Sequence, residues 1–168
     1  KIAVIDSLSA SAGELNIALF IRELCEKGLP FEEICRQTEA YRDSMNTYFV
    51  IETLDFLKKN GRLTGLTAFI ASALNIKPVM GADSGTIIKR DQARGMTRAL
   101  DRMAEIACKE GGDTASKRLV IAHCNNPERA EHVKENMCKR ANFREVVITN
   151  TAGVATVYAG DGGIIMTL

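Results

Sequence analysis

The chain has 168 residues, the size of one ordinary domain or of parts of two. Hydrophobic residues make up 46% and charged residues 26%, which is typical of a soluble globular protein, and no apolar run is long enough to insert stably into a membrane. The formal net charge is +1, so the chain lacks the excess positive charge that attracts the phosphates of a nucleic acid. The composition therefore argues against nucleic acid as a partner.

The first elements predict half of a βαβ unit. Residues 1–5 form an apolar run that predicts a strand, and residues 6–13 form a loop of small residues. Two helices follow, at residues 15–27 and 30–41, with Gly28 where a C-capping glycine belongs. The chain begins in a strand without an initiator Met, so we expect that an upstream part is missing or was removed.

The middle of the chain alternates short strands and helices. Asp83-Ser84-Gly85-Thr86 predicts a hairpin turn and therefore an antiparallel pair of strands. Strand-like or extended segments are predicted at residues 47–51, 77–80 and 87–89, and helices at residues 53–60 and 66–75.

The last third predicts two long helices. Residues 92–110 carry apolar side chains at three- and four-residue spacing, and Gly111-Gly112 stops this helix. Asn126 is expected to cap the next helix, with Pro127 at its first position. Strands are predicted at residues 118–124, 145–149 and 162–168, and Gly160–Gly163 is predicted to be a hairpin turn. We expect an α/β remainder at residues 1–46 and an α+β domain with a mainly antiparallel sheet at residues 47–168.

Three stretches carry almost no charge. Residues 2–12 contain only Asp6, residues 63–76 contain none, and residues 150–168 contain only Asp161. Such segments suit an apolar ligand with one polar end, because neutral hydrogen-bonding groups lie beside apolar side chains. A buried core with turns explains the same pattern, and composition does not separate the two.

Arg62 is the most informative single charge. It follows a glycine and precedes an uncharged segment, where its guanidinium can grip a carboxylate or phosphate, unless it is simply a surface arginine beside a helix end. Motifs for a hydrolase elbow, a Walker loop or a dinucleotide fold are absent from the sequence. His123 and Cys124 are adjacent on a strand and point to opposite faces, and zinc-ligand spacing is absent, so no metal is expected.

The five cysteines are odd in number and form no CxxC pair, which predicts free buried thiols and a cytoplasmic location.

Four segments together resemble the DegV family, in order and spacing over the whole chain. The first segment is Val4-Ile5-Asp6-Ser7 with Ser9-Ala10-Ser11 and Gly13. The second is Tyr48 to Leu54 with Gly61-Arg62. The third is Leu74 to Val79, and the fourth is the Arg94-Gly95 pair that follows it.

The resemblance implies a fold and a ligand. DegV proteins have a three-layer α/β N-terminal domain and an α+β C-terminal domain, with a fatty acid between them; this chain is similar to the C-terminal part. The residues that we expect to bind the lipid are Arg62, Tyr158, Ser7, Ser9, Ala10, Thr64, Phe69 and Ile70. Phe69 and Ile70 are included because the helix predicted at residues 66–75 has no charged face to give to water. Tyr158 stands where the family commonly has a histidine, and Asn60 where a glycine is usual.

The resemblance also implies a partner. Some DegV proteins are binding subunits of a bacterial fatty-acid kinase, which phosphorylates the bound carboxylate for phospholipid synthesis. We therefore expect a lipid-binding protein that is not itself an enzyme, needs no cofactor and associates with a catalytic kinase subunit. Two alternatives stay open: an enzyme acting on a small carboxylate or phosphate at the loop of residues 7–11, and a regulatory domain without a ligand.

Overall fold

A computed structural model describes residues 1–63 and 75–168. The helices are α1 (Ala12–Glu26), α2 (Phe31–Asp43), α3 (Asp55–Lys59), α4 (Met96–Glu110), α5 (Pro127–Arg140) and α6 (Gly153–Ala159). The strands are β1 (Thr47–Val50), β2 (Ile76–Asp83), β3 (Thr86–Arg94), β4 (Arg118–His123), β5 (Glu145–Asn150) and β6 (Ile164–Thr167). Most of the helix expected at residues 66–75 lies outside the described residues.

In the described part of the chain, the six strands form one mixed sheet in the order β3-β2-β1-β6-β4-β5. The pair β4–β5 is parallel, and the other four neighbouring pairs are antiparallel. The hairpin between β2 and β3 turns through Ser84 and Gly85, which have φ values of 49° and 79°. Positive φ at both central residues is the geometry that two-residue hairpin turns need, so the predicted turn is confirmed.

Helices cover both faces of the sheet. Leu119 and Ile121 of β4 lie in one core cluster with α4 and α5, and Val120 and Ala122 lie in another with Ala12 of α1. This alternation follows from the strand geometry, which points successive side chains to opposite faces. β4 is fully buried for the same reason, since each face of it packs on a helix.

A buried ionic group joins α1 to the sheet. The Arg118 side chain is 1% exposed, pairs with Glu23 of α1 and donates to Glu145 Oε2 at 2.6 Å. Its Nη1 also donates to Asn16 Oδ1 at 3.3 Å, and Tyr41 donates its hydroxyl to the same oxygen at 2.9 Å. The position of α1, and of the loop that precedes it, therefore depends on polar contacts as well as on apolar packing.

Two of the predicted helix ends are confirmed. Gly28 follows α1 with φ of 69°, and its amide donates to Cys25 O at 2.9 Å. Asn126 Oδ1 accepts the Arg129 amide at 3.1 Å at the start of α5. Both features satisfy backbone groups that a helix end leaves without partners.

The strand predicted at residues 1–5 is wrong. These residues pair with no strand of the described sheet, and Ile2 and Val4 are 94% and 92% exposed. An extended apolar segment becomes a strand only where a sheet edge accepts its backbone groups, and no described edge does so.

Three other predictions need correction. The helix predicted from residue 92 begins at Met96, because residues 92–94 continue β3 and Gly95 has φ of 84°. Helix α6 was not predicted, and Gly160–Gly163 joins this helix to β6 instead of closing a hairpin. The five cysteines are free, but only Cys124 is buried; Cys25 is exposed because Leu24 takes the inward position at the end of α1.

Within the described residues, no helix combines the length and the apolar character needed to cross a bilayer.

Candidate functional site

A cavity of about 620 Å³ lies on the face of the sheet that α1 covers. Its walls are the loop before α1, the tip of the β2–β3 hairpin, the end of α3 and one side of α6. Its volume falls within the range of about 300–1,000 Å³ that small-molecule sites occupy.

The floor of the cavity is apolar. Phe49 of β1 lies opposite Ile165 of β6 in the sheet, and both side chains line the cavity together with Ile51, Leu57 and Ile87. Ile51 and Leu57 also belong to a buried cluster with Leu63 and Met80. The floor therefore offers a ligand a hydrocarbon surface on a rigid sheet.

Arg62 brings a positive charge to the cavity. Gly61 has φ of 67°, and the Arg62 amide donates to Leu57 O at 2.8 Å, which ends α3 in a tight turn. The side chain lines the cavity and is exposed. Among the described residues it has no hydrogen-bond or ion-pair partner, so its five donors are available to a ligand.

Tyr158 lines the same cavity from α6 and packs against the cluster of Ile51, Leu57 and Met80. α6 contains no charged residue and ends at Gly160, which has φ of 66°. A Cβ atom at Gly160 would lie 3.1 Å from the Phe56 ring, so this glycine permits close contact between α6 and α3. The two helices that present Tyr158 and Arg62 are thus held against each other.

The loop of residues 6–11, here called the serine loop, forms the wall on the other side. Ser9 and Thr47 share a hydrogen bond of 2.7 Å between their hydroxyls, and both line the cavity with Ala10. Ser7 donates to Ser9 O at 2.9 Å and lines a neighbouring, smaller cavity instead of this one.

The structure thus brings four of the eight predicted residues into one cavity: Arg62, Tyr158, Ser9 and Ala10. Thr64, Phe69 and Ile70 lie outside the described residues. Thr47, Phe49 and Ile51 were missed as cavity residues, although their alternation along a strand already placed them on one face.

An ion-pair network lies at the end of β1. Glu52 follows β1 and pairs with Lys77 at 2.6 Å and with Arg129 at 2.7 Å. Partial burial alone would raise the pKa of Glu52, but the hydrogen bonds from Lys77 and Arg129 outweigh burial and lower it. The carboxylate therefore stays charged at neutral pH and ties the end of β1 to β2 and α5.

Within residues 1–63 and 75–168, no group of three or more His, Cys, Asp or Glu side chains is arranged to hold a metal ion.

Comparisons with known proteins bear on the family to which this chain belongs. A sequence model of the DegV family matches residues 1–167. A DegV domain-containing protein of Streptococcus pyogenes serotype M1 is 36% identical over 170 residues, which cover 99% of this chain and 59% of that protein. This chain therefore spans about three fifths of the length of the curated relatives that it matches.

Solved structures of similar proteins contain fatty acids. A DegV family protein of Ruminococcus gnavus, refined with vaccenic acid, matches with a TM-score of 0.96 and 45% identity, over 100% of this chain and 60% of that one. The Fatty Acid Kinase (Fak) B3 protein of Streptococcus pneumoniae, loaded with linoleic acid, matches with a TM-score of 0.85 and 31% identity, over 99% of this chain and 59% of that one. The family match over nearly the whole chain confirms the resemblance that the four sequence segments carry: this chain belongs to the DegV family.

Proposed function

We propose that this chain forms one side of a site that holds a long-chain fatty acid. The acyl chain lies over the floor of Phe49, Ile51 and Ile165, and the carboxylate meets Arg62 and Tyr158. The observation that carries the proposal is that a single cavity joins this apolar floor to a guanidinium and a phenol. The fatty acids bound to the R. gnavus and S. pneumoniae relatives support it.

The apolar floor supplies the affinity in this account. Each methylene that leaves water contributes about 0.8 kcal/mol, so a chain of about sixteen carbons gains far more than a small carboxylate would. A short polar ligand would leave most of the floor exposed to water. The floor therefore favours a long acyl chain over a small metabolite.

The polar end fixes the orientation of the ligand. A carboxylate that enters an apolar cleft loses its hydration, and this loss is costly without replacement hydrogen bonds. The guanidinium of Arg62 and the hydroxyl of Tyr158 both donate, and charge-assisted bonds are the stronger kind. Tyrosine donates here without adding a second positive charge.

We further propose that the full-length protein presents this carboxylate to a catalytic kinase subunit for phospholipid synthesis in the cytoplasm. The relative that belongs to a fatty acid kinase supports this role. The ligand's own carboxylate would be the nucleophile, so the binding protein needs no catalytic base, and the partner would bring nucleotide and metal.

The domain boundary belongs to the same proposal. We propose that residues 1–46 are the end of an N-terminal domain and that residues 47–168 form the C-terminal domain, with the ligand in the cleft between the two domains. α1 and α2 contact each other, with Phe20 stacked on Tyr41 at 4.0 Å between ring centroids, and α1 also packs on β4 and β6. The two parts therefore contact each other through α1, whose Glu23 also pairs with Arg118 of β4.

Calorimetry on the full-length protein tests the carboxylate contact. Arg62→Ala should weaken the binding of hexadecanoic acid by roughly 1.5–3 kcal/mol, the range for hydrogen bonds to charged groups. The methyl ester should bind the wild type poorly and respond little to the substitution, because it carries no negative charge. The matched control is Arg98→Ala, which removes an exposed arginine of α4 that does not line the cavity.

Equal losses for acid and ester in Arg62→Ala would mean that the arginine supports the fold and does not contact the carboxylate. A loss in Arg98→Ala as large as that in Arg62→Ala would show that general electrostatic attraction explains the effect.

A further inference from the structure

A second cavity adjoins the first, and Leu8 stands between them. This second cavity has a volume of about 330 Å³ and is lined by residues of α2, β2, β3 and the serine loop. Four residues line both cavities: Leu8, Thr47, Ala82 and Ser84. Leu8 has the largest apolar side chain of the four, so it is the main barrier between the two spaces.

The two cavities differ in chemistry. The floor of the first consists of aromatic and aliphatic side chains, whereas the second is lined by the charged residues Arg42, Asp43, Asp83 and Arg90. Arg42 pairs with Asp43 at 2.8 Å, and Arg90 pairs at 3.8 Å with Glu110, which does not line this cavity. Leu8 therefore lies between a cavity with an apolar floor, whose lining also includes Asp6 and Glu14, and a cavity lined mainly by polar and charged groups that can form hydrogen bonds with a ligand.

Leu8 is held in place by its loop. Its φ of 51° lies in the left-handed region, which is unfavourable for leucine and is kept only where contacts with the surrounding structure stabilise it. The Leu8 amide donates to Asp6 Oδ1 at 3.0 Å, and the hydroxyl of Ser7 bonds the backbone of Ser9. The hairpin tip closes the other side, since a Cβ atom at Gly85 would lie 3.6 Å from Leu8 Cδ2.

Leu8 also lies far from the proposed carboxylate end. Tyr158 packs with Ile51, which follows β1, whereas Leu8 shares both cavities with Thr47, which begins β1. Four residues of strand separate these ends by about 13 Å at roughly 3.3 Å per residue. An acyl chain anchored at Arg62 therefore runs towards Leu8.

We propose that Leu8 is a specificity-determining residue, which restricts the site to acyl chains with an apolar end. The inference rests on the proposed function and adds a ligand class that the site rejects: fatty acids with a hydroxyl at the far end of the chain. In the wild type such a hydroxyl meets Leu8 and the apolar floor, and the neighbouring hydroxyls of Ser9 and Thr47 already bond each other, so its hydrogen bonds to water are poorly replaced. Without the leucine side chain it reaches the polar cavity and can form hydrogen bonds there.

The test compares matched ligands on variants of the full-length protein. Calorimetry measures dodecanoic, hexadecanoic and octadecanoic acids, each with and without a terminal hydroxyl, so that the result does not depend on where one chain length ends. The variants are Leu8→Ala and Leu8→Gly; glycine tolerates the positive φ, so it keeps the loop intact if alanine does not. The control is Leu19→Ala, which truncates a half-buried leucine of α1 outside both cavities.

The wild type and Leu19→Ala should prefer the plain acids strongly. In the two Leu8 variants this preference should fall by about tenfold for at least one chain length, as expected when a buried hydroxyl gains a hydrogen-bond partner. An unchanged preference in both variants would overturn the proposal, and so would an equal loss of affinity for both ligands, which would make Leu8 a support of the loop. A wild type that binds none of the acids would instead refute the proposed function.

Discussion

Replacement of Arg118 tests how α1 is held on the sheet. The side chain is 1% exposed and contacts Glu23, Glu145 and Asn16. Removal of one partner from a buried ion pair costs about 3–5 kcal/mol, because the other charge is left without compensation. Here Glu23 and Glu145 are 21% and 47% exposed, and Glu23 keeps its pair with Arg144, so water and Arg144 offset part of the loss.

We therefore expect Arg118→Met to lower the free energy of unfolding by about 2–3 kcal/mol, below the full cost of breaking a buried pair. Arg118→Ala should lose about 1–2 kcal/mol more, because it also leaves a cavity. Urea denaturation followed by circular dichroism measures both values, with Arg98→Ala as a surface control expected within about 0.5 kcal/mol of the wild type. An Arg118→Met variant as stable as the wild type would show that these ion pairs make no net contribution.

The other predictions concern acid stability and two helix ends. The Arg118 guanidinium lowers the pKa of Glu145 below its ordinary value of 4.5. The stability that this carboxylate contributes is therefore present above pH 4.5 and is lost as the pH falls through the lower pKa of the folded state. When unfolding is measured as a function of pH, Arg118→Met should lose less stability on acidification than the wild type. Gly160→Ala should destabilise by about 1–2 kcal/mol through its positive φ, and by more than Gly28→Ala in thermal unfolding, because only Gly160 has a ring within 4 Å of its Cβ position. Asn126→Ala should cost about 1 kcal/mol in the same assay, since the side chain caps α5, and an unchanged melting temperature would mean that water replaces the cap.

Local signals in the sequence predicted the helix ends and the hairpin correctly. Two of these signals are glycines that adopt a positive φ, Gly28 and Gly85. The third is Asn126, whose side chain caps the helix that follows it. None of the three needs a partner that is distant in the sequence. The sheet strands with β-branched residues were found for the same reason. Such features depend on a few neighbouring residues, so a single sequence is enough to predict them.

Features that depend on distant contacts were harder to predict. The apolar run at residues 1–5 has strand composition but no partner edge in the described sheet, and composition alone does not reveal this. α6 is short, uncharged and rich in β-branched residues, so its helix is stabilised by packing of residues such as Ala159 and Tyr158 on the sheet face, not by propensity.

The candidate site was predicted in part. Arg62 and Tyr158 were selected from a glycine turn and from the family resemblance, and both line the cavity. Thr47 and Leu8 were not selected, because their importance depends on a hydroxyl contact and on a second cavity that only the folded chain creates. Strand alternation along β1 was the one sequence signal that pointed to Thr47.

Mass spectrometry of the freshly purified, denatured full-length protein tests the central claim most directly. A long-chain fatty acid should be released in an amount close to that of the protein, and Arg62→Ala should release less of it than Arg98→Ala. A wild-type protein that releases no fatty acid, and that takes up none when hexadecanoic acid is added before repurification, would contradict the account.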